Sequence, residues 1–262
     1  MKVLSLTLLA LFFTIETSFA DLQSKQLEKA WKLYNQVTTQ QLPKSEVEQK
    51  LSKALNLFKV ATNDEKTRRS AALGYIKTSL YSGKFLTKSK KELKSIYRQA
   101  YEMGKWITRT HATNMELTYW YALSLSRWAN ELSLVISGKP RAIGESRQLC
   151  KRIIKSDNKK YRPLAMMLLG RLHHKTPGFP LIMSWPSNDR ALNWLEQANQ
   201  LNPNHPKTMY YLGDLYKSTK RKKEALQILS QAAQVEPRPK EQNEDLYWIQ
   251  KSKVLLKKLQ KK

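Results

Sequence analysis

The chain has 262 residues, of which 41% are hydrophobic, enough to bury one or two ordinary domain cores, so disorder throughout is excluded. Lys and Arg total 47 against 21 Asp and Glu, a formal charge of +26. Two interpretations of this charge stay open: solvated helix faces rich in Lys, or the binding of an anionic partner or surface.

The first predicted element is a secretory signal over residues 1–20. An apolar run over residues 3–15 follows one Lys, and the small residues Ser18 and Ala20 stand third and first before Asp21, a pattern typical of signal peptidase sites. The run is too short for a comfortable membrane span. We therefore expect cleavage and a periplasmic protein, with an uncleaved anchor as the alternative.

The single cysteine limits the covalent chemistry of the chain. One Cys excludes an intramolecular disulfide and a Cys-based metal cage. Cys150 lies far from the predicted cleavage point, so no cysteine stands there to carry a lipoprotein's lipid, and we expect a soluble mature protein. Near Leu149 and Ile153, Cys150 is expected to be a small core residue.

Helical periodicity next predicts degenerate repeats over residues 25–160. A Leu followed by a small residue marks the first helix of a hairpin, because two helix backbones can approach closely only where a side chain is small. The predicted helix pairs are 25–37 with 47–61, a helix around Leu73-Gly74 with 90–110, and 118–134 around Leu123-Ser124 with 142–154.

The next repeat matches the spacing of the following unit more closely than the upstream repeats do, but the turn between its two helices contains an insertion. Its first half contains Met166, Leu169, Gly170 and His173, and its second half contains Ala191, Leu195, Ala198 and Pro203. The second-half residues recur 34 positions later in the chain. Gly170 stands 21 residues before Ala191, whereas twelve separate the equivalent residues of the next unit, so nine extra residues occupy this turn.

The inserted segment covers residues 174–188. Its prolines and glycine prevent a regular helix, yet it is too apolar for a freely solvated loop. Two interpretations stay open: the segment folds back over the hairpin core, or it lines a site. The apolar side chains concerned are Phe179, Leu181, Ile182, Met183 and Trp185.

The clearest unit covers residues 210–237 and closes the best repeats, 164–237. Gly213 and Ala225 are expected where two antiparallel helices approach most closely, with large apolar residues beside them. Pro237 is expected to end the second helix because it has no amide hydrogen to donate. The remaining packing positions of this unit are Leu212, Tyr216, Leu229 and Ala232.

Residues 241–260 are predicted to form a capping helix. A stack of hairpins leaves its last apolar face bare, and a terminal helix with a charged outer side covers it. Leu246, Ile249, Leu256 and Leu259 are expected on the covered side. The alternative is a helix on a membrane surface, with Trp248 at a headgroup boundary.

The spacing of Leu212-Gly213, Tyr216, Ala225, Leu229, Ala232 and Pro237 resembles the tetratricopeptide repeat (TPR). This resemblance implies an all-α, right-handed superhelical stack of helix hairpins over residues 21–262. The segments YWYALSLSRWA (119–129), LLGRLHHKTPGFP (168–180) and DRALNWLEQANQLNP (189–203) resemble the periplasmic T-component proteins associated with TRAP transporters. That second resemblance implies partnership with a substrate-binding protein and a ring-like homo-oligomer.

Residues for catalysis or cofactor binding are scarce in the sequence. Of the four histidines, only His173 and His174 are adjacent, and neighbours on a helix point about 100° apart, so they rarely bind one metal. His173 is expected in the core and His174 in a turn. A phosphate-binding Gly-rich loop and a recognised nucleic-acid motif are both missing. We expect neither enzyme activity, cofactor, metal nor nucleic-acid partner.

Two functional classes follow. In the first, a scaffold holds another envelope protein on its concave face, with Tyr119, Trp120, Arg127 and residues 176–186 in contact. In the second, an accessory of a transporter holds an anionic or apolar small molecule, with Arg127 and Arg171 pairing with a carboxylate. The predicted contact residues of both classes are Tyr119, Trp120, Arg127, Arg171, Phe179, Met183 and Trp185. Peripheral adhesion to anionic polymers or lipids is a third possibility.

Overall fold

A computed structural model describes residues 3–87, 89–132, 138–177 and 185–261 of the chain. Within these stretches the protein is all-α, as predicted, with a single short 3₁₀ turn at Pro239–Glu241. The α-helices are α1 (Val3–Thr39), α2 (Lys44–Ala61), α3 (Glu65–Phe85), α4 (Lys90–Thr110), α5 (Met115–Asn130), α6 (Gly138–Lys155), α7 (Tyr161–Lys175), α8 (Asn188–Leu201), α9 (Pro206–Ser218), α10 (Lys222–Gln234) and α11 (Gln242–Gln260).

Each helix packs against the next, which confirms the predicted stack of hairpins. Local signals set many of the boundaries: Asp64, Asn114 and Ser187 each accept a hydrogen bond from a backbone N–H three residues on, and so cap the helices that follow. The predicted helix 90–110 coincides with α4. Residue 174, expected in a turn, lies instead in the last turn of α7, and α10 already ends at Gln234, before Pro237.

The close approach of paired helices is visible at two glycines. A Cβ added to Gly213 of α9 would lie 2.6 Å from Leu229 Cγ of α10, and one added to Gly170 of α7 would lie 2.7 Å from Leu195 Cγ of α8. These separations are too short for real carbon atoms, so both positions require glycine for packing.

The hairpin of α3 and α4 departs from this pattern. A Cβ added to Gly74 would meet Phe58 of the preceding helix α2, at 2.2 Å from its ring, and not α4. Gly83 instead lies against α4, where a Cβ would be 2.4 Å from the Tyr97 ring. The Leu73-Gly74 pair therefore correctly predicts helix α3, but Gly74 contacts α2 and not its predicted partner α4. The close contact with α4 lies at Gly83, more than two helical turns further along the longer helix.

The odd-numbered helices form an inner layer. Each contacts the next odd-numbered helix as well as its hairpin partners, and α11 also contacts α1, so six helices surround a common interior. The even-numbered helices contact only their chain neighbours and lie outside. Buried apolar side chains pack between the layers, with the largest cluster running from α3 to α7.

The C-terminal helix is present as predicted, but it does more than cap the last hairpin. Asn243 Nδ2 donates to the carbonyl oxygens of Val37 and Gln40, both at 2.8 Å, and Tyr247 meets Phe85 edge to face at 5.4 Å between ring centroids. The first turn of α11 therefore joins the end of the stack to its beginning.

Two expectations for α11 are wrong. Trp248, considered for a membrane headgroup boundary, is only 6% exposed and packs against Tyr210 and Tyr211. Leu255 is buried, whereas Leu256 is only partly covered, because the buried stripe follows Trp248 and Leu255 at a spacing of seven. Across the described residues, none of the helices combines the length and apolar character needed to cross a membrane.

Candidate functional site

A cavity of about 190 Å³ lies inside the ring, between residues of α5, α6, α7, α9 and α11. Leu123 of α5, Leu168 of α7 and Trp248 of α11 give it apolar walls. Its polar lining consists of four cationic side chains and of the neutral polar residues Ser126, Asn130, Thr176 and Tyr211. The cationic side chains on its wall are Arg127, Lys139, Arg171 and Lys175.

Helical spacing explains why arginine reaches this cavity. Leu123 and Arg127 are four residues apart on α5, so they share one face, and that face is turned towards the interior. Arg171 and Lys175 show the same spacing on α7. Each of the two helices therefore presents a face to the cavity that carries at least one long cationic side chain.

Arg171 is held in a fixed position. Its Nη1 donates to Asp214 Oδ2 of α9 at 2.6 Å, and its guanidinium lies over the Tyr211 ring at 4.3 Å from the centroid. Lys175 Nζ lies 2.9 Å from the same carboxylate oxygen. Although burial alone would raise it, the pKa of Asp214 is lowered by the hydrogen bonds and charges of Arg171 and Lys175, so Asp214 stays ionised.

Arg127 has no such partner. Among the described residues, no acceptor or carboxylate forms a hydrogen bond or an ion pair with its guanidinium. Glu244 attracts it through space, but that carboxylate is held by Lys84 at 2.6 Å and by Lys207 at 3.7 Å. Arg127 therefore faces the cavity with its donors unused.

A charged cluster connects α11 to α3 and α9. Burial lowers the pKa of Lys84 to about 7, against the attraction of Glu244. Burial would raise the pKa of Glu244, but Lys207 and Lys84 lower it to about 2. The Lys84 ammonium also lies 3.9 Å from the centroid of the Tyr247 ring. Here a carboxylate of α11 is shared between α3 and α9.

Of the residues expected at a contact site, the structure brings Arg127 and Arg171 to one wall. Tyr119 is 3% exposed and packs against Tyr161, so its ring belongs to the core. Trp120 lies under the ammonium of Lys77, at 5.2 Å, away from the cavity.

The inserted segment is described only at its two ends. Trp185 is 7% exposed and packs edge to face on His173 at 5.4 Å, so this end of the segment folds over the core. Thr176 and Pro177 line the cavity at the other end. Phe179 and Met183 lie outside the described residues, and their expected role stays a prediction.

Sequence reasoning missed the two lysines of the cavity. Lys175 could have been found, because it follows Arg171 by four residues on a helix. Lys139 comes from the start of α6, and only the fold shows that this helix end closes over the same space.

An outer groove is the second feature that bears on function. It lies between α2, α3 and α4, and its lining includes Val60, Tyr75, Met103 and Trp106. Val60 is 42% exposed and Trp106 is 43% exposed, which is high for large apolar side chains. The other residues that line the groove are polar: Lys59, Thr62, Asn63, Gln99 and Glu102.

The described residues hold no group of three or more His, Cys, Asp or Glu side chains placed to bind a metal ion. His173 is buried against Trp185, and His174 shares contacts with Arg171 and with Ser218 at 3.0 Å. The two histidines thus have separate packing partners.

Comparison with known proteins identifies the repeat. The profile of the tetratricopeptide repeat matches residues 187–242. The fold is similar to that of TTC0263, a thermophilic TPR protein of Thermus thermophilus, with a TM-score of 0.61 and 17% identity over 89% of this chain and 99% of that one. YrrB, a TPR protein with an unusual peptide-binding site, shows a TM-score of 0.43 and 17% identity over 80% of this chain and 86% of that one. No curated protein sequence matches the chain.

The fold of the chain is thus TPR-like, and residues 187–242 match the TPR pattern in sequence as well. This fold is typical of scaffolds for protein–protein interaction. The resemblance to transporter T-components and the periplasmic location stay predictions.

Proposed function

We propose that this chain is a non-enzymatic TPR scaffold of the periplasm that holds a polypeptide partner in the cell envelope. The outer groove carries the proposal. Val60 and Trp106 both line it with more than two fifths of each residue exposed, and a partner's apolar side chain inserted in the groove would bury both. Trp is among the residues that dominate binding energy at protein interfaces.

The groove is an alternative to the concave contact surface predicted from sequence. Tyr119 is buried in the core and Trp120 packs under the Lys77 ammonium, whereas Arg127 and Arg171 face the interior cavity. The export pattern of residues 1–20 and the scaffold fold support a role among envelope proteins.

Site-specific photo-crosslinking in cells tests the scaffold role. A crosslinking amino acid at position 106 should capture a polypeptide, whereas the same probe at position 201, an apolar residue with 55% exposure outside the groove, should not. Adding Val60→Lys should abolish capture at 106, because a charged side chain would replace one of the exposed apolar contacts of the groove. Equal capture at both positions, or capture that survives Val60→Lys, would overturn the proposal.

A second candidate is a ligand-handling accessory that resembles the T-component of a TRAP-type transporter and holds a small anion. The observation that favours it is the meeting of Arg127 and Arg171 on the wall of one interior cavity. Native mass spectrometry after gentle purification tests this candidate: a bound small molecule supports it, and a protein free of small ligand counts against it.

A further inference from the structure

The interior cavity carries an excess of positive charge. Four cationic side chains line it, and Asp214 is the one carboxylate within ion-pair distance of any of them in the described part of the chain. The wall therefore has an excess of three positive charges. The Lys175 side chain is 46% exposed, so solvent reaches the cavity, and an excess of one charge sign in such a cleft raises the local concentration of anions.

Arg127 is the member of this group whose charge lacks compensation. An arginine stays protonated at every physiological pH, and the partly buried Arg127 has no ion-pair partner among the described residues. The hydroxyl of Ser126, which also lines the wall, donates to the Leu123 carbonyl of its own helix at 2.8 Å. An anion bound in the cavity would supply the acceptors that Arg127 lacks.

The other cations line the same cavity, but some of their hydrogen-bond donors already have acceptors within the protein. Arg171 and Lys175 share Asp214, and Lys139 Nζ donates to the Leu132 carbonyl at 3.2 Å. Each keeps donors beyond these contacts, because a guanidinium has five and an ammonium three. A ligand with two negative charges can thus engage Arg127 directly and still be attracted by the remaining cations.

The size of the cavity limits the ligand. At about 190 Å³ it is smaller than the roughly 300–1,000 Å³ typical of pockets for drug-sized molecules. Leu123, Leu168 and Trp248 add apolar walls, which suit a few methylene groups but offer no acceptors. The space therefore fits a compact oxyanion with few heavy atoms.

We infer that this cavity binds a small dianion carrying carboxylate or phosphate oxygens, with Arg127 as its principal counter-ion. The inference rests on the ligand-handling candidate and names its ligand class. The fork of a guanidinium matches both carboxylate and phosphate oxygens, and each can accept two parallel hydrogen bonds from it. Arg127 is thus the residue that decides binding, and Arg171, Lys139 and Lys175 add long-range attraction.

Calorimetric titration of the full chain at constant ionic strength tests the inference. The probes are succinate as a dicarboxylate, inorganic phosphate as a tetrahedral dianion, and acetate as a matched monoanion. We expect saturable binding of one equivalent of succinate or phosphate, and binding of acetate at least about 10-fold weaker. Binding of only one dianion would identify a dicarboxylate or a phosphate source, and binding of both would identify oxyanion chemistry in general.

Two variants separate the cavity from the general basic charge. Arg127→Gln should weaken binding of the dianion at least about 10-fold, whereas Arg98→Gln, which removes the same charge from a side chain that is 63% exposed, should leave it unchanged. Arg127→Lys should give intermediate affinity, because it keeps the charge and loses the fork. Circular dichroism of each variant checks that it is folded.

The inference is overturned if the folded protein binds neither dianion saturably, or if Arg127→Gln and Arg98→Gln bind alike. An uncharged molecule found by native mass spectrometry would keep the ligand-handling candidate and contradict the dianion. Failure of the two hypotheses can therefore be told apart.

Discussion

Single small side chains decide how closely the helices of this protein approach. Glycine in a helix interior costs about 0.5–1 kcal/mol relative to alanine, so a helix keeps it only where the space is needed. Gly213 has Leu229 at the place of its missing Cβ, whereas Gly144 of α6 has nothing within 4 Å of that place. The same residue type therefore has opposite consequences at the two positions.

The matched substitutions Gly213→Ala and Gly144→Ala test this difference. We expect Gly213→Ala to destabilise the protein by about 1–3 kcal/mol, because Leu229 or the α10 backbone must move. Gly144→Ala should stabilise it by about 0.5–1 kcal/mol. Urea denaturation gives both free energies of unfolding, and a Gly213→Ala variant as stable as the parent would contradict close packing at this point.

The buried histidines make stability depend on pH. Burial, with the nearby charges of Arg238 and Lys207, lowers the pKa of His205 from 6.5 to about 3. Its neutral Nδ1 accepts the backbone N–H of Thr208 at 3.2 Å and so caps α9. The unfolded chain takes up a proton near pH 6.5 and the folded chain does not, so acid favours unfolding.

We therefore expect the free energy of unfolding to fall as the pH drops from 6.5 towards 3, with the contribution of His205 fully present above pH 6.5. His205→Asn should flatten this dependence, because asparagine does not titrate and is a good N-cap. Urea denaturation of both proteins across this pH range measures the effect. Identical pH slopes would contradict a neutral, capping His205.

At the level of helices, the sequence predicted which segments form helices better than it predicted which helices pack against each other. The predicted helix 90–110 has the bounds of α4, whereas α10 ends at Gln234, before the predicted end at Pro237. The contact of Gly74 with Phe58 could not be predicted, because a small residue shows that something approaches but not from which side. The joining of α11 to α1 depends on residues 206 positions apart, Val37 and Asn243, and local patterns contain no such information.

The candidate site shows the same limit. Arg127 and Arg171 were predicted from residue type, since arginine suits carboxylate recognition. Their meeting at one wall depends on the packing of α5 beside α7, and the counter-charge from Asp214 depends on α9. Lys139 joins them only because α6 begins over the cavity.

The ion cluster that connects α11 to α3 and α9 predicts how a substitution in α11 changes the stability of the protein. Glu244→Gln removes the carboxylate shared by Lys84 and Lys207; because the pKa of Lys84 is already about 7, that side chain can lose its proton, and we expect a loss of about 1–3 kcal/mol. The control is Glu224→Gln, whose partner Arg221 is 40% exposed, and we expect a much smaller change because solvent screens that pair. Guanidinium denaturation compares the two. Equal effects would show that the cluster does not hold α11 in place.

For the molecule as a whole, the closed inner ring connects fold to function. The basic cavity lies on its inner side, and the outer groove, the proposed contact surface for a large partner, lies between α2, α3 and α4. The high positive charge then has two roles: most lysines lie on solvated helix faces, and a few surround the cavity.

Ring closure is tested most directly by crosslinking α11 to α1. The substitutions Gln40→Cys and Asn243→Cys lie at a contact where Asn243 Nδ2 is 2.8 Å from the Gln40 carbonyl oxygen, so a short bismaleimide should join the two cysteines within one chain. Burial raises the pKa of the native Cys150 thiol to about 12, so that residue should not compete.

The control pair is Gln40→Cys with Gln260→Cys, because residue 260 lies at the far end of α11, about 25 Å further along at roughly 1.5 Å per residue. The closed ring predicts an intramolecular crosslink for 40 with 243, its loss in urea, and none for 40 with 260. Failure of the first pair to link in the folded protein, while each cysteine reacts singly, would contradict the closed ring.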